Sequence, residues 1–474
     1  MTHIDRRDFI KGCTVATLAA GASSNALAYF APPDYAPTAA TNDTLVVVFL
    51  RGAMDGLSLL PPGAGSPYRA DYDSARKNAA QGGTGIPTTG TGAALALNGT
   101  TWALHPRASG LRTLFNQNRL AFIVAAGQAQ PNPVIRSHFD AQANLEFGFG
   151  GGTGNNIGWL TRHLASGGLP AVVPLPATSL GNITAASLLG SSDAITMNSA
   201  SDYRLDGFHW SWQEDNSANG LVGAVSKMHA LWNSNATQLE SAGKETMASL
   251  DLLRPINFGL YNASSNPGGY QPTGGANYTL GSNQSFGDQL RNVAQLIKSN
   301  LGMRVATIDL NGWDTHVGQG NPANTYDYFG NQVESLSQGL SAFYTDLASA
   351  PGNLMLRTSV IVVSEFGRRV QENADGGTDH GYANVMIALG GSVNGGQIYG
   401  TFPGLANEQL YEGTDVAVTT DYRRIMSEAL IRRMGNPNIY YTFPGYSGYT
   451  PMGVFQGPDL PPTNYDALFK NGFD

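Results

Sequence analysis

Short apolar runs that end abruptly in charged or polar residues constrain this fold more than any other feature of the sequence. Residues 361–363 (IVV) run into SEFGRR, residues 305–310 (VATIDL) into NGWDTH, and residues 45–50 (LVVVFL) into RGAMDG. Runs with so little polar alternation are typical of strands covered on both faces. In open α/β sheets, functional side chains collect at the carboxyl ends of such strands. We therefore expect a single functional edge.

Helical patterns separate these strands along the chain. The pattern also predicts strands at 120–125 and 385–390, and helices at 105–118, 136–146, 285–299, 327–349 and 421–434. Strands that alternate with helices form an α/β fold with a largely parallel sheet. The sequence therefore predicts a three-layer α/β sandwich with a largely parallel central sheet.

Residues 149–290 contain no comparable motif. Their pattern predicts short strands at 171–174 and 194–197, and a helix near 220–253. We interpret this region as an insertion or cap over the sheet edge. The remainder of residues 29–474 is predicted to form a single α/β domain around it.

The first 28 residues resemble an export signal. Arg6 and Arg7 stand in DRRDFIK, a short apolar stretch follows at 14–22, and Ala26 and Ala28 are the small residues that a signal peptidase reads. The apolar stretch is too short to cross a membrane. We predict a twin-arginine translocation (Tat) signal cleaved after Ala28, and a periplasmic or extracellular mature protein. An ordinary amphipathic helix is the alternative.

The charge of the chain excludes several partners. Cleavage after Ala28 removes three cationic and two anionic side chains, which moves the net charge from −8 to −9. An acidic surface disfavours nucleic acid and anionic membranes. No later segment reaches the roughly 20 apolar residues of a membrane span. We therefore expect no nucleic acid partner and no membrane span. The predicted partner is a small anionic ester substrate or an unknown secreted partner.

Two strand ends each supply an aspartate and a histidine. Asp314 and His316 follow residues 305–310, and Asp379 and His380 lie in a GTDHG segment beyond residues 361–363. Imidazole and carboxylate ligands suit Zn²⁺, Mn²⁺ or Fe²⁺ and leave coordination positions open. A metal-assisted hydrolase site is therefore predicted. The structural alternative is that Asp314 and His316 cap the following helix.

Ser137 opens the predicted helix at 136–146. The free N–H groups and the dipole at a helix N-terminus favour an anion there. A serine at this position is also a common N-cap residue. The sequence is compatible with either role, and it does not decide whether His138 binds substrate or packs.

Six sequence motifs span most of the mature chain: LRGAMDGLS, LHPRASGLRTLF, RSHFDAQANLEFG, NGWDTHVGQ, SEFGRRVQEN and GTDHGYA. In these motifs the chain resembles a family of secreted, twin-arginine-exported bacterial proteins called domain of unknown function 1501. That family is similar in turn to the alkaline phosphatase and sulfatase superfamily, which combines a core sheet with metal-dependent phosphate or sulfate ester chemistry.

The resemblance implies a role for each candidate residue. It implies Ser137 as the nucleophile and, as metal ligands in chain order, Asp55, Asp314, His316, Glu365 and His380. Asp379, which directly precedes His380, is a further candidate ligand from the GTDHG segment itself. The chain departs from the superfamily at Phe366, where an imidazole is expected and a phenyl ring cannot bind an ion. It also places one residue between Asp314 and His316, where three are common.

A second, harder site is one further implication. The oxygens of Asp55, Glu365 and Ser137 would suit Mg²⁺ or Ca²⁺. If that ion is absent, Arg368 would hold an ester oxyanion in its place. The residues are compatible with one ion, with two or with none.

These observations predict an exported metal-dependent hydrolase of phosphate, sulfate or related esters, in which Ser137 or a water attacks. The alternative is a non-catalytic secreted binding or assembly protein on a degenerate phosphatase-like fold, and Phe366 favours it. A periplasmic binding protein fits less well because no duplicated two-lobe pattern is present.

Overall fold

The computed structural model covers most of the chain beyond the N-terminal segment. The predicted signal at 1–28, the predicted strand at 171–174 and the start of the predicted helix at 220–253 lie outside the described residues. The described residues are 43–77, 82–129, 134–149, 157–167, 175–191, 194–198, 230–232, 237–253, 256–279, 281–323 and 326–463.

Thirteen strands are present in these ranges, and nine of them form the central sheet. Their bounds are β1 Thr44–Arg51, β2 Leu95–Ala96, β3 Ala103–Leu104, β4 Leu120–Gly127, β5 Ala177–Leu180, β6 Ala194–Met197, β7 Val305–Asn311, β8 Thr358–Val363, β9 Asn384–Gly390, β10 Ile398–Tyr399, β11 Leu410–Tyr411, β12 Asp415–Val416 and β13 Thr420–Asp421.

The α-helices of the same ranges include the predicted ones, although the helix predicted at 105–118 begins four residues later, at Ser109. Their bounds are α1 Gly56–Leu59, α2 Arg69–Ala75, α3 Ser109–Asn116, α4 His138–Phe147, α5 Trp159–Ser166, α6 Gln238–Leu253, α7 Gln284–Lys298, α8 Tyr328–Ala348, α9 Tyr422–Arg432 and α10 Ile439–Thr442. None of the described helices combines the length and apolar character that a membrane crossing requires.

The central sheet has the order β10-β4-β9-β8-β1-β7-β5-β6, and β13 pairs with the end of β4. Strand β1 lies at the centre, where Val48 pairs in parallel with Ile308 of β7 and Val362 of β8. Strand β9 is the one antiparallel member of this sheet. The predicted largely parallel sheet is confirmed.

Both faces of β1 are buried, which explains its uninterrupted apolar sequence. Val46 and Val48 pack on one face with residues of α3, α7 and α8. Leu45 and Val47 pack on the other with residues of α4, α5 and α9. Each fully buried aliphatic side chain contributes about 1.5–3 kcal/mol. The three-layer sandwich is thus held together from both sides of the sheet.

The described part of residues 149–290 joins the sheet. Strand β5 pairs with β7, and β6 pairs with β5, so the region extends the sheet at one end. The predicted strand at 194–197 is confirmed. The assignment of this region as a cap, and of the mature chain as a single domain, stays a prediction.

The polar residues that follow the parallel strands lie at one edge of the sheet. Strands β1, β7 and β8 end there, and β9 begins there because it runs in the opposite direction. The backbone of the loop after β1 lies against the backbone of the loop after β7. Gly52 has a φ of 116°, and a Cβ at this position would lie 2.4 Å from the backbone nitrogen of Asp314. A side chain at position 52 would therefore push the two loops apart.

Candidate metal centre

Three imidazoles surround the carboxylate of Asp314 at this edge. His138 Nε2 lies 3.6 Å from Oδ2, while His316 Nε2 and His380 Nε2 lie 3.4 Å and 3.9 Å from Oδ1. Asp314 and His316 lie in the loop after β7, His380 precedes β9, and His138 is the first residue of α4. Half of the Asp314 side chain is exposed, so a small molecule can reach the cluster.

The spacing of three of these residues fits a metal ion. Among the described residues, His138, Asp314 and His380 offer ligand atoms that all lie within 4.8 Å of one another. Ligands 2.0–2.2 Å from a tetrahedral Zn²⁺ lie roughly 3.3–3.6 Å apart, so small movements would close the set. The sequence predicted Asp314, His316 and His380. In the structure, the third residue of the group is His138 and not His316. His316 also contacts Asp314 but is not a member of this group.

The other nitrogen of each imidazole is held by an acceptor. His138 Nδ1 lies 2.8 Å from Glu365 Oε1, and His316 Nδ1 lies 3.1 Å from Asp379 Oδ1. His380 Nδ1 lies 2.7 Å from the carbonyl oxygen of Arg136. A carbonyl only accepts, so Nδ1 of His380 carries the proton and Nε2 carries the lone pair. Metal-binding histidines are typically held in this way.

Two of the Nε2 atoms are buried and have no hydrogen-bond partner in the protein, those of His138 and His380. Buried polar atoms nearly always have a partner, so each exception requires an explanation. Burial lowers the pKa of His380 to about 4, which leaves its imidazole neutral at pH 7. Lone pairs that face a carboxylate repel it unless a cation or a proton lies between them. The chemistry of the cluster therefore fits a metal cation.

Arg368 fixes Asp314 and does not face a substrate. Its buried guanidinium donates to the carbonyls of Ala53 and Thr378 at 2.7 and 2.8 Å, and to Asp314 Oδ1 at 2.6 Å. Burial alone would raise the pKa of Asp314, but the hydrogen bond and charge of Arg368 hold it below its ordinary value. The predicted role of Arg368 in holding an ester oxyanion needs an exposed guanidinium edge, and the Arg368 side chain is fully buried.

Glu365 supports an imidazole from behind. Its Oε1 accepts from Gly52 N, Gln142 Nε2 and His138 Nδ1, each at 2.8 Å. Burial would raise the pKa of Glu365, but the hydrogen bonds from His138 and Gln142 hold it below its ordinary value. Glu365 was predicted as a metal ligand; its contacts make it the acceptor that orients His138.

Asp379 supports a second imidazole. It accepts from Asn373 Nδ2 at 3.1 Å and contacts His316 Nδ1, and these two hydrogen bonds lower its pKa. Asp379 was likewise predicted as a ligand, and its oxygen faces Nδ1 of His316 instead. Glu365 and Asp379 therefore accept hydrogen bonds from imidazoles, while Asp314 is the carboxylate at the centre of the cluster.

Asp55 is engaged elsewhere. Its buried carboxylate accepts from Arg76 Nη1 at 2.7 Å, Ser58 Oγ at 2.7 Å and Gln319 Nε2 at 2.9 Å. It is not a member of the three-residue group that could hold an ion. Asp55, Glu365 and Ser137 were expected to hold Mg²⁺ or Ca²⁺ through their oxygens. In the described residues each of the three has its own hydrogen-bond partners, so they do not form such a site.

Ser137 is the N-cap of α4, where its Oγ accepts from Asp140 N at 3.5 Å. His138, the next residue, is the one that reaches the cluster, and the sequence reasoning left its role undecided. A signal was present: His138, Gln142 and Glu146 are spaced four apart, so they share one polar face of α4. That face meets Glu365 and Arg51 at the sheet edge.

Phe366 packs against the imidazoles that it cannot replace as a ligand. Its ring stacks on His138 at a centroid distance of 5.0 Å and lies 4.9 Å from the ring of His380. The phenyl ring therefore limits the rotation of both imidazoles. Gln128, Val134, Ile135, Glu365, Phe366 and Tyr382 line a small pocket beside it.

Comparisons with known proteins give a family match for part of this chain and a similar solved structure. No curated protein matches its sequence. Among solved structures, a lipoteichoic acid synthase, LtaP, from Listeria monocytogenes is similar at 11% sequence identity, with a TM-score of 0.30 over 92% of this chain and 78% of that chain. A likeness at this level says nothing about function. Residues 264–436, which include Asp314, His316, Glu365 and His380, match the family described as "Protein of unknown function (DUF1501)", so the resemblance to that family is confirmed over this part of the chain.

Proposed function

We propose that the protein is a metal-dependent hydrolase of phosphate, sulfate or related esters, with one divalent transition metal bound by His138, Asp314 and His380. The observation that supports this proposal is the pair of unpartnered, buried Nε2 atoms of His138 and His380 beside the Asp314 carboxylate. His316 lies close enough to complete or adjust the set.

The ligand chemistry favours particular ions. Two or three imidazoles with one carboxylate suit Zn²⁺, Mn²⁺ or Fe²⁺. Such an ion supplies a Lewis acid with open positions for a water or an ester oxygen. Neighbouring residues orient the candidate ligands. Arg368 donates to Oδ1 of Asp314, Glu365 contacts the imidazole of His138, and Asp379 contacts the imidazole of His316.

Ser137 remains the candidate nucleophile from the chain itself. It precedes His138 directly, and its hydroxyl makes one long hydrogen bond at 3.5 Å, so little holds it in place. A water in the cluster is the other candidate. The loss of ester hydrolysis in Ser137→Ala would distinguish them.

A non-catalytic secreted binding or assembly protein is the second candidate function. The enclosed guanidinium of Arg368 and the phenyl ring of Phe366 favour it, because neither offers a charge to an ester oxyanion. We also propose that the mature protein begins at Tyr29 and is exported by the Tat pathway. Arg6-Arg7 and Ala26-Leu27-Ala28 support this location.

Elemental analysis of the purified mature protein tests the metal centre. We expect close to one equivalent of Zn, Mn or Fe, and a loss of that metal in His380→Ala. His105→Ala is the matched control, because His105 is a buried imidazole that lies 3.6 Å from Asp327 and is not a member of the candidate ligand group. No bound metal after reconstitution with all three ions would overturn the proposal. Bound metal without turnover of any phosphate or sulfate ester would favour the binding or assembly protein.

A further inference from the structure

A buried glutamine joins the two loops that carry the candidate ligands. Gln319 Oε1 accepts from Thr315 Oγ1 at 3.0 Å and from Thr378 Oγ1 at 2.9 Å. Its Nε2 donates to Asp55 Oδ2 at 2.9 Å. A carboxylate only accepts, so the amide nitrogen must face Asp55 and the amide oxygen must face the two hydroxyls.

Both threonines are close in sequence to residues of the cluster. Thr315 lies between Asp314 and His316, and Thr378 precedes Asp379 and His380. The backbone N–H of Thr378 also donates to the carbonyl of Thr315 at 3.0 Å. The hydrogen bonds of Gln319 therefore hold the two loops side by side.

Asp55, the acceptor for the Gln319 amide, is itself held in place by other residues. It forms a buried ion pair with Arg76, whose guanidinium also donates to the carbonyl of Val370 at 2.6 Å. The breaking of a buried ion pair is strongly destabilising, so neither partner is expected to move readily. Asp55 is thereby anchored to the start of the segment that leads to Thr378.

We propose that Asp55 and Gln319 form a clamp that positions Asp314, His316 and His380 for metal binding, with Asp55 acting through Gln319 and not as a ligand. This inference rests on the metal centre proposed above. It also gives a physical reason for an aspartate after the first strand. The negative charge of Asp55 fixes the orientation of the Gln319 amide, and that orientation fixes both loops.

Metal titrations of Gln319 variants test the clamp. Loss of the groups that orient ligands typically costs 10–100-fold in metal affinity, and we expect a loss of this size in Gln319→Leu. Gln319→Glu should weaken binding too, because two carboxylates would face each other. Asp55→Asn should also weaken metal binding, because an amide in place of the carboxylate no longer fixes the orientation of the Gln319 amide.

Asp346→Asn is the matched control. Like Asp55, Asp346 is a buried carboxylate that accepts hydrogen bonds from several donors, among them the hydroxyls of Tyr270 and Tyr278. None of these donors is adjacent in sequence to a candidate ligand. It should lower thermal stability without a change in metal affinity. An equal loss of affinity in Asp346→Asn and Gln319→Leu, or an unchanged affinity in Asp55→Asn, would overturn the clamp.

Long-range ¹H–¹⁵N NMR of the metal-free protein separates this inference from the proposed function. The spectra report which ring nitrogen of each histidine is protonated. In Gln319→Leu, the signals of His316 and His380 should change more than those of His138, because His138 lies on α4 and its Nδ1 contacts Glu365 instead of the two loops. Unchanged spectra for all three would refute the clamp. A wild-type protein that binds no metal would refute the proposed function and leave the NMR comparison as the test of the clamp.

Discussion

Glu365→Gln gives the sharpest test of how the cluster is supported. Truncation to alanine would leave three buried donors without an acceptor, at about 1–3 kcal/mol each. That total approaches the roughly 5–15 kcal/mol that stabilises a typical domain. Glutamine avoids this loss. Its carbonyl oxygen can accept from the same three donors, and its amide can donate to Ser364 Oγ, which lies 3.0 Å from Glu365 Oε2.

The substitution should therefore preserve the fold and weaken the metal site. Without the negative charge beside Nδ1, the imidazole of His138 is a weaker base and a weaker ligand. Changes of this kind typically cost 10–100-fold in metal affinity, or about 1.4–2.7 kcal/mol. Competition with a chromophoric chelator measures the affinity, and thermal melting with a chelator present measures the fold.

Glu334→Gln is the control for this experiment. It removes a carboxylate on α8 that pairs with Arg107 and lies half in solvent, so metal affinity should not change. If Glu365→Gln bound metal as tightly as the wild type, the idea that Glu365 tunes His138 would be refuted.

The same variant should change how stability responds to acid. The folded-state pKa of Glu365 lies below its ordinary value of 4.5, so the unfolded chain binds more protons in this range. Its contribution is therefore complete above pH 4.5 and is lost as pH falls through the folded-state pKa. With a chelator present, the loss of stability from pH 6 to pH 3 should be smaller in Glu365→Gln than in the wild type. Denaturant titrations at each pH measure this difference, and parallel profiles would contradict the expectation.

Three further predictions concern the ligands, the nucleophile and the export signal. His138→Ala should reduce metal affinity more than His316→Ala, because His138 belongs to the group whose ligand atoms lie within 4.8 Å of one another; isothermal titration measures both, and the reverse order would remove His138 from the set. Ser137→Ala should keep the metal, cost no more than about 1 kcal/mol in thermal unfolding as a weak N-cap, and abolish ester hydrolysis; retained hydrolysis would assign the attack to water. Arg6→Lys with Arg7→Lys should keep the protein in the cytoplasm with its signal uncleaved, as cell fractionation would reveal, and normal export would exclude the Tat pathway.

Much of the fold could be predicted because it depends on local patterns. The apolar run at 45–50 requires burial on both faces, and β1 is a central strand with helices on each side. The predicted helices at 285–299 and 327–349 agree with α7 and α8 to within one or two residues. Periodicity fixed these elements because each buries a stripe or a face that the sequence itself displays.

The place of the candidate site could be predicted for the same reason. Asp314 follows β7 and His380 precedes β9, so the sheet brings both to one edge. What the sequence left undecided was the direction in which each side chain points. Ser137 is the extended N-cap residue and His138 is the first residue of α4, and the docking of α4 on Glu365 brings the histidine to the cluster.

Long-range partners decided the remaining roles. Asp55 turns toward Arg76, which lies 21 residues further along the chain, and Arg368 turns inward to a carbonyl that is separated from it by 315 positions. A carboxylate or a guanidinium is satisfied by whichever complementary group the fold brings near, and local sequence does not encode that neighbour. The sequence by itself determined which chemical groups reach the edge of the sheet, and only the tertiary structure decided which of them face the cluster and which hold it in place.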